Sequence, residues 1–186
     1  GTVPGRSGNL AIILLVLAGI LTAAGPAQAT SAAAGYPGGR ALAAAMAEAH
    51  EALRQTDVAL PHGVSERDVQ LLALNVYYEA RGEGLAGKAA VANVTLNRLR
   101  DQRWPSTMAE VILQPGQFSW TRKPSRIADW EALRASVVVA AKALSGALRD
   151  RTGGALYFHA ARLGAPDWTR GLTRLARIGA HTFYSD

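Results

Sequence analysis

Val69-Gln70-Leu71-Leu72-Ala73-Leu74-Asn75-Val76-Tyr77-Tyr78-Glu79-Ala80-Arg81-Gly82-Glu83-Gly84 runs an apolar helix into a carboxylate and then into two glycines. Upstream, Ser65 followed by Asp68 has the form of a helix N-cap with an acid in the first turn, where the positive end of the helix dipole favours it. Val69, Leu72 and Val76 fall at i, i+3 and i+7, and the next position on that stripe is Glu79. Gly82 and Gly84 end the helix, and Leu85 opens a second one. Ala89, Ala92, Leu96 and Leu99 lie on one side of this second helix and Val91 and Val94 on another, which makes it central to the core.

A carboxyl held against apolar side chains has its charged form disfavoured and its pKa raised, as a general acid near neutral pH requires. Glu79 is therefore the leading catalytic candidate; its alternative is a buried helix-end Glu paired with Arg81 or Arg98. Glu83 is a secondary candidate, because i and i+4 side chains are neighbours on a helix and two carboxylates can serve a glycosidase. The glycines favour a chain that leaves the helix before Glu83, which then caps the turn or pairs with Arg81.

Working outward, residues 1–29 read as a secretory signal peptide. Arg6 precedes an apolar run from Leu10 to about Ala24, a Gly25-Pro26 break and the small-x-small triplet Ala27-Gln28-Ala29. The apolar run is short of the ~20 residues of a spanning helix, so membrane contact is expected only through this segment if it stays uncleaved. Residues 30–64 form a flexible leader with one amphipathic helix from Ala41 to Gln55, carrying Leu42, Met46, Ala49 and Leu53. Residues 65–186 form the catalytic domain.

Within that domain, Thr107 and Glu110 suggest a capping box for a short helix to about Leu113. Gln114-Pro115-Gly116 makes a turn, Gln117 to Trp120 a short extended piece, and Thr121 to Arg126 a basic exposed loop. A long helix is expected from about Asp129 to Leu148, with Trp130, Leu133, Val137, Ala141, Leu144 and Leu148 as its stripe. Ala155 to His159 and Ile178 to Tyr184 are strand-like and suit a small antiparallel sheet. The fold class is α+β, a mainly helical domain with a small antiparallel β-sheet.

The 186 residues contain no cysteine, which excludes disulfides, thiol catalysis and Cys-based zinc sites, and carry a formal charge of +6. Removing residues 1–29 takes away one Arg and no acid, leaving +5 (6 − 1). A basic exported protein suits an anionic polymer; nucleic acid would satisfy the same charge, but export points to the cell envelope.

At Tyr78-Glu79-Ala80-Arg81-Gly82-Glu83, Gly87 to Ala92 and Leu96-Asn97-Arg98 the chain resembles the SleB-type cell wall hydrolases. The likeness continues in order through Trp104 to Thr107, Gln114 to Ser119, Thr152 to Tyr157, Pro166-Asp167-Trp168 and Ile178 to Tyr184, covering about residues 68–184. It departs after Trp120-Thr121, where relatives continue with Cys-Asp-Gly and this chain has Arg122-Lys123-Pro124.

The resemblance implies a lysozyme-like, lytic-transglycosylase-related domain that cuts the β-1,4 bond between N-acetylmuramic acid and N-acetylglucosamine in periplasmic or envelope peptidoglycan, with Glu79 matching its catalytic glutamate. Trp120, Tyr157 and Trp168 are expected to stack on or bond to sugars, Gln117 and Ser119 to bond N-acetyl groups, and Tyr157 to orient Glu79. No cofactor or metal is expected: HExxH is absent, His50 and His62 lie outside the matched region, and His159 and His181 read as structural. The alternatives are an amidase that cuts between muramic acid and the stem peptide, and a wall-binding protein without turnover.

Overall fold

The structure, a computed structural model, describes residues 39–60 and 62–186. The expected signal segment 1–29 and residues 30–38 of the leader lie outside the described residues. Among the described residues, five α-helices and a three-stranded sheet follow in chain order.

Helix α1 (Gly39–Arg54) buries Leu42, Ala45, Ala49, Ala52 and Leu53 and packs against α2 (Glu66–Ala80) and α5 (Trp130–Leu144). Helix α2 starts as expected, with Ser65 Oγ accepting from the Asp68 amide at 3.1 Å. It is more enclosed than a stripe on one face would make it, because every residue from Val69 to Tyr77 is buried. The helix at the centre of the domain is therefore α2, in contact with α1, α3 (Leu85–Arg100), α4 (Met108–Leu113) and α5.

Such a position obliges its polar residues to find partners. Asn75 donates to Thr95 Oγ1 at 3.2 Å and accepts from Trp120 Nε1 at 3.1 Å. At the C-terminal end of α2, buried Lys88 on α3 donates to the carbonyls of Ala80, Arg81 and Glu83 at 2.8, 2.7 and 2.7 Å. The acceptors at this helix end are thus met by a side chain from the next helix.

Three expectations change. Gln117 to Trp120 is not extended: Ser119–Thr121 forms a 3-10 turn, and Thr121 is buried with its hydroxyl donating to Phe118 O at 2.8 Å. Helix α5 stops at Leu144 rather than Leu148, because Gly146 adopts φ 75° and turns the chain. Its buried stripe begins at Leu133, with Trp130 left 36% exposed.

The sheet has three antiparallel strands, β1 (Tyr157–Ala160), β2 (Thr173–Ile178) and β3 (His181–Ser185), in the order β1-β3-β2. The single strand expected over 178–184 is in fact the end of β2, a two-residue turn and β3. Gly179, at φ 57°, makes that turn possible. Phe158 lies opposite Phe183, and with Ala176 and Ile178 these residues pack against Ala90 and Val94 of α3. The other face of the sheet carries Tyr157, His159 and Tyr184, covered by Trp168.

Candidate active site

Helix α2 delivers Glu79 on its last turn into a cleft of ≈ 580 Å³ between the helices and the Ala160/His181 end of the sheet. The wall opposite the helix comes from Phe158 and His159 on β1, Arg162 and Leu163 beyond it, and Ala180 and His181 at the β2–β3 turn. Gln117, Phe118 and Ser119 complete one side, and Arg98 of α3 enters beside Glu79.

Burial pushes the Glu79 carboxyl up to about 7, against a smaller pull downward from the Arg98 charge. Among the described residues Glu79 forms no ion pair. The pairing with Arg81 that the sequence left open is not realised. Arg81 lies over the Tyr77 ring at 5.4 Å and donates to its hydroxyl at 3.4 Å. The Tyr77 hydroxyl also accepts from the Ala128 and Asp129 amides at 3.3 Å each, and the Tyr78 hydroxyl donates to Ser125 O at 2.6 Å. Adjacent tyrosines thus anchor the turn before Glu79 to the segment leading into α5.

Arg98 is 5% exposed, stacked over Trp104 at 4.2 Å, and donates through Nε to Leu156 O at 2.8 Å. Among the described residues its buried Nη1 has no hydrogen-bond partner, and neither has His181 Nδ1 on the opposite wall. Burial lowers the pKa of Arg98 to about 10, which leaves it charged at neutral pH. Burial also pushes the His181 imidazole down, with the Glu83 charge opposing. A protonatable acid and a buried cation line one cleft. Such an arrangement can donate a proton and steady the anion left behind.

Glu83 does not pair with Arg81. Its backbone N–H donates to Ala80 O at 2.9 Å, so the chain has left the helix, and its Oε2 accepts from the Ala180 amide of the β2–β3 turn at 3.1 Å. Gln117 and Ser119 line the cleft with Glu79. Trp120 does not face it: the ring is 6% exposed, bonded to Asn75 and stacked behind Tyr78 at 4.9 Å. A ring so enclosed has no free face for a sugar, and it is Tyr78 that reaches the cleft.

Tyr157 also departs from expectation. It lies on the sheet face away from Phe158, near Trp104 at 5.9 Å and Trp168 at 6.4 Å, and it does not orient Glu79. Trp168 is 50% exposed on that same outer face. His159 is tied to Ala160 O and the Tyr184 hydroxyl, at 3.0 Å each. Among the described residues no group of three or more His, Asp or Glu is arranged to hold a metal ion.

Sequence reasoning missed Tyr78 and His181 as cleft residues, and named Arg98 only as an alternative ion-pair partner of Glu79. The structure brings Arg98 beside Glu79 in the cleft without an ion pair among the described residues. His181 becomes a cleft residue only once the turn before it is placed.

Residues 82–184 match the Cell Wall Hydrolase family. The chain belongs to that family. It is 36% identical over 126 residues to the spore cortex-lytic enzyme of Halalkalibacterium halodurans, covering 67% of this chain and 36% of that protein. With the spore cortex-lytic enzyme of Bacillus subtilis it shares 35% over 126 residues, covering 67% and 39%. The chain thus spans less than half the length of these curated relatives.

Two solved structures share the fold. The catalytic domain of the germination-specific lytic transglycosylase SleB from Bacillus anthracis superposes with a TM-score of 0.56 at 32% identity, covering 68% of this chain and all of that one (100%). The catalytic domain of the Bacillus cereus SleB protein gives 0.53 at 32% identity, covering 68% and 95%. The mainly helical domain with a small antiparallel sheet is the fold of these catalytic domains.

Proposed function

We propose that this cell wall hydrolase domain cleaves the β-1,4 bond between N-acetylmuramic acid and N-acetylglucosamine in peptidoglycan, outside the cytoplasm, by lytic transglycosylation. The observation that carries the proposal is Glu79, a carboxyl that lines the cleft, forms no ion pair among the described residues and is pushed up to about 7 by burial, so that a large share of it holds a proton near neutral pH. Family membership supplies the substrate class.

In the first step the Glu79 carboxyl gives its proton to the glycosidic oxygen as the bond from that oxygen to the anomeric carbon breaks. The resulting carboxylate lies in the field of Arg98, which favours its charged form. Glu79 then takes the proton from the muramoyl 6-hydroxyl as that oxygen bonds to the anomeric carbon. The carboxyl is restored, no water is consumed, and the product ends in a 1,6-anhydromuramoyl ring. One acid/base group suffices because the sugar supplies the nucleophile. On this reading Gln117 and Ser119, which line the cleft, bond the acetamido groups, and Trp168, half exposed, stacks on a sugar beyond it.

Digestion of purified sacculi by the protein and by Glu79→Gln tests the reading. The expected result is release of anhydro-ended muropeptides, one water lighter than hydrolysed ones, by the unaltered protein alone. Equal release by both proteins refutes it, and products with only reducing muramic ends replace transglycosylation by hydrolysis.

A further inference from the structure

Glu83 is the second carboxylate of the cleft, and its surroundings are unlike those of Glu79. The Ala180 amide, 97 residues away, donates to Oε2 at 3.1 Å. Two glycines from different elements enclose the same oxygen. A Cβ on Gly179, in the β2–β3 turn, would stand 1.8 Å from Oε2 and 2.9 Å from Cδ. A Cβ on Gly87, in the first turn of α3, would stand 2.6 Å from Oε2 and 2.8 Å from the Glu83 Cβ. No side chain fits at either position without displacing the carboxylate, and Gly179 also has the positive φ that other residues resist.

The main chain of Glu83 is fixed as well. Its N–H reaches Ala80 O and its carbonyl accepts from Lys88 Nζ at 2.7 Å. One residue therefore joins the end of α2, the start of α3 and the tip of the hairpin. On the sheet side, the tip has one further tie, from the Ala161 amide to Ala180 O at 2.7 Å. The next residue, His181, stands in the cleft wall with Nδ1 unpartnered.

We infer that Glu83 is a positioning residue, whose carboxylate locks the β2–β3 hairpin tip to the helical layer and so sets the cleft wall that carries His181. It acts through Ala180 and His181 rather than on the scissile bond. The geometry gives Gly87 and Gly179 their role too, as the space into which the carboxylate fits. The kinetic part of this assignment rests on the glycan-cleaving reading above, while its structural part does not.

The test compares Glu83→Gln, Glu83→Ala and Gly179→Ala in the full chain, using soluble peptidoglycan strands as substrate and amide hydrogen exchange at Ala180 to Thr182. An amide oxygen still accepts from Ala180, so Glu83→Gln is expected to stay within about threefold of the unaltered protein. Glu83→Ala and Gly179→Ala lose a hydrogen bond to a charged acceptor; KM is expected to rise and Ala180 exchange to quicken, each at least about tenfold, with kcat changed less.

Glu83→Gln as inactive as Glu79→Gln overturns the assignment and makes Glu83 a second reacting group. Unchanged exchange at Ala180 in Glu83→Ala overturns it as well. The exchange measurement needs no turnover, so loss of the glycan-cleaving reading would leave the lock standing or falling on its own evidence.

Discussion

Replacing Glu79 by Gln removes a carboxyl that the fold holds against its own solvation, and the consequence is readable without any substrate. In the folded chain this group has a pKa of about 7, against 4.5 for the free side chain. Between those values the folded state keeps a proton that the unfolded chain has released, so stability falls as pH rises through that window. Below about pH 4 both states are protonated and the group costs nothing. Above about pH 8 the full penalty is present: 7 minus 4.5, at about 1.36 kcal/mol for each pH unit, gives about 3 kcal/mol. Glu79→Gln, neutral at every pH, is therefore expected to be more stable than the unaltered protein at pH 8 by up to about 3 kcal/mol, or about 5–10 °C in Tm. The two should be nearly equal at pH 4. Urea or thermal unfolding at pH 4, 6 and 8 measures the difference. A stability gap that does not change with pH, or one that favours the unaltered protein at pH 8, refutes the raised acid and with it the chemistry built on it.

Two further outcomes follow from neighbouring groups. Arg98→Met removes the charge that pulls the Glu79 pKa down, so the alkaline limb of the activity profile, where the acid is lost, should move to higher pH while turnover falls. A limb that stays or moves down contradicts the role given to Arg98, and Arg98→Lys should restore most of the original profile. Lys88→Met takes the ammonium from the carbonyls of Arg81 and Glu83, while the Ala80 carbonyl keeps its bond from the Glu83 amide, and should cost about 3 kcal/mol in denaturant unfolding; a loss under about 1 kcal/mol would show that water replaces the ammonium there.

Local signals in the sequence were reliable where the structure is local. Ser65, Thr107 and Asp129 cap α2, α4 and α5 because capping is settled within four residues, although Asp129 was placed inside its helix rather than before it. The helical period put Glu79 on an apolar stripe, and the stripe does lead into a cleft. Strand β2 was missed because Thr173-Arg174-Leu175-Ala176-Arg177-Ile178 is mostly exposed and broken by a register shift at Leu175, so it shows no alternation. The burial of Trp120 depends on Asn75 in another element, and no spacing rule links them. The partner of Glu83 was misjudged for the same reason: Arg81 is near in sequence, whereas Ala180 is near only in the folded chain. Tyr157 was placed on the correct strand and expected to orient Glu79, whereas its ring lies near Trp104 and Trp168, since composition marks a strand without fixing what each of its faces meets.

The paired tyrosines before Glu79 have a mechanical consequence. Tyr77 is tied to the start of α5, Tyr78 to Ser125, and the Ala80 carbonyl to Lys88, so the acid is mounted between residues pinned on either side. It behaves as an anvil. On the proposed reading, a glycan that differs in shape must be met by movement elsewhere, and on the opposite wall, beside the hairpin tip that Glu83 holds, the Arg162–Leu163 segment is exposed. If the proposed glycan cleavage holds, changes that broaden or narrow the range of glycans accepted should therefore be sought in the Arg162–Leu163 segment, while changes on the helix side alter the rate of cutting.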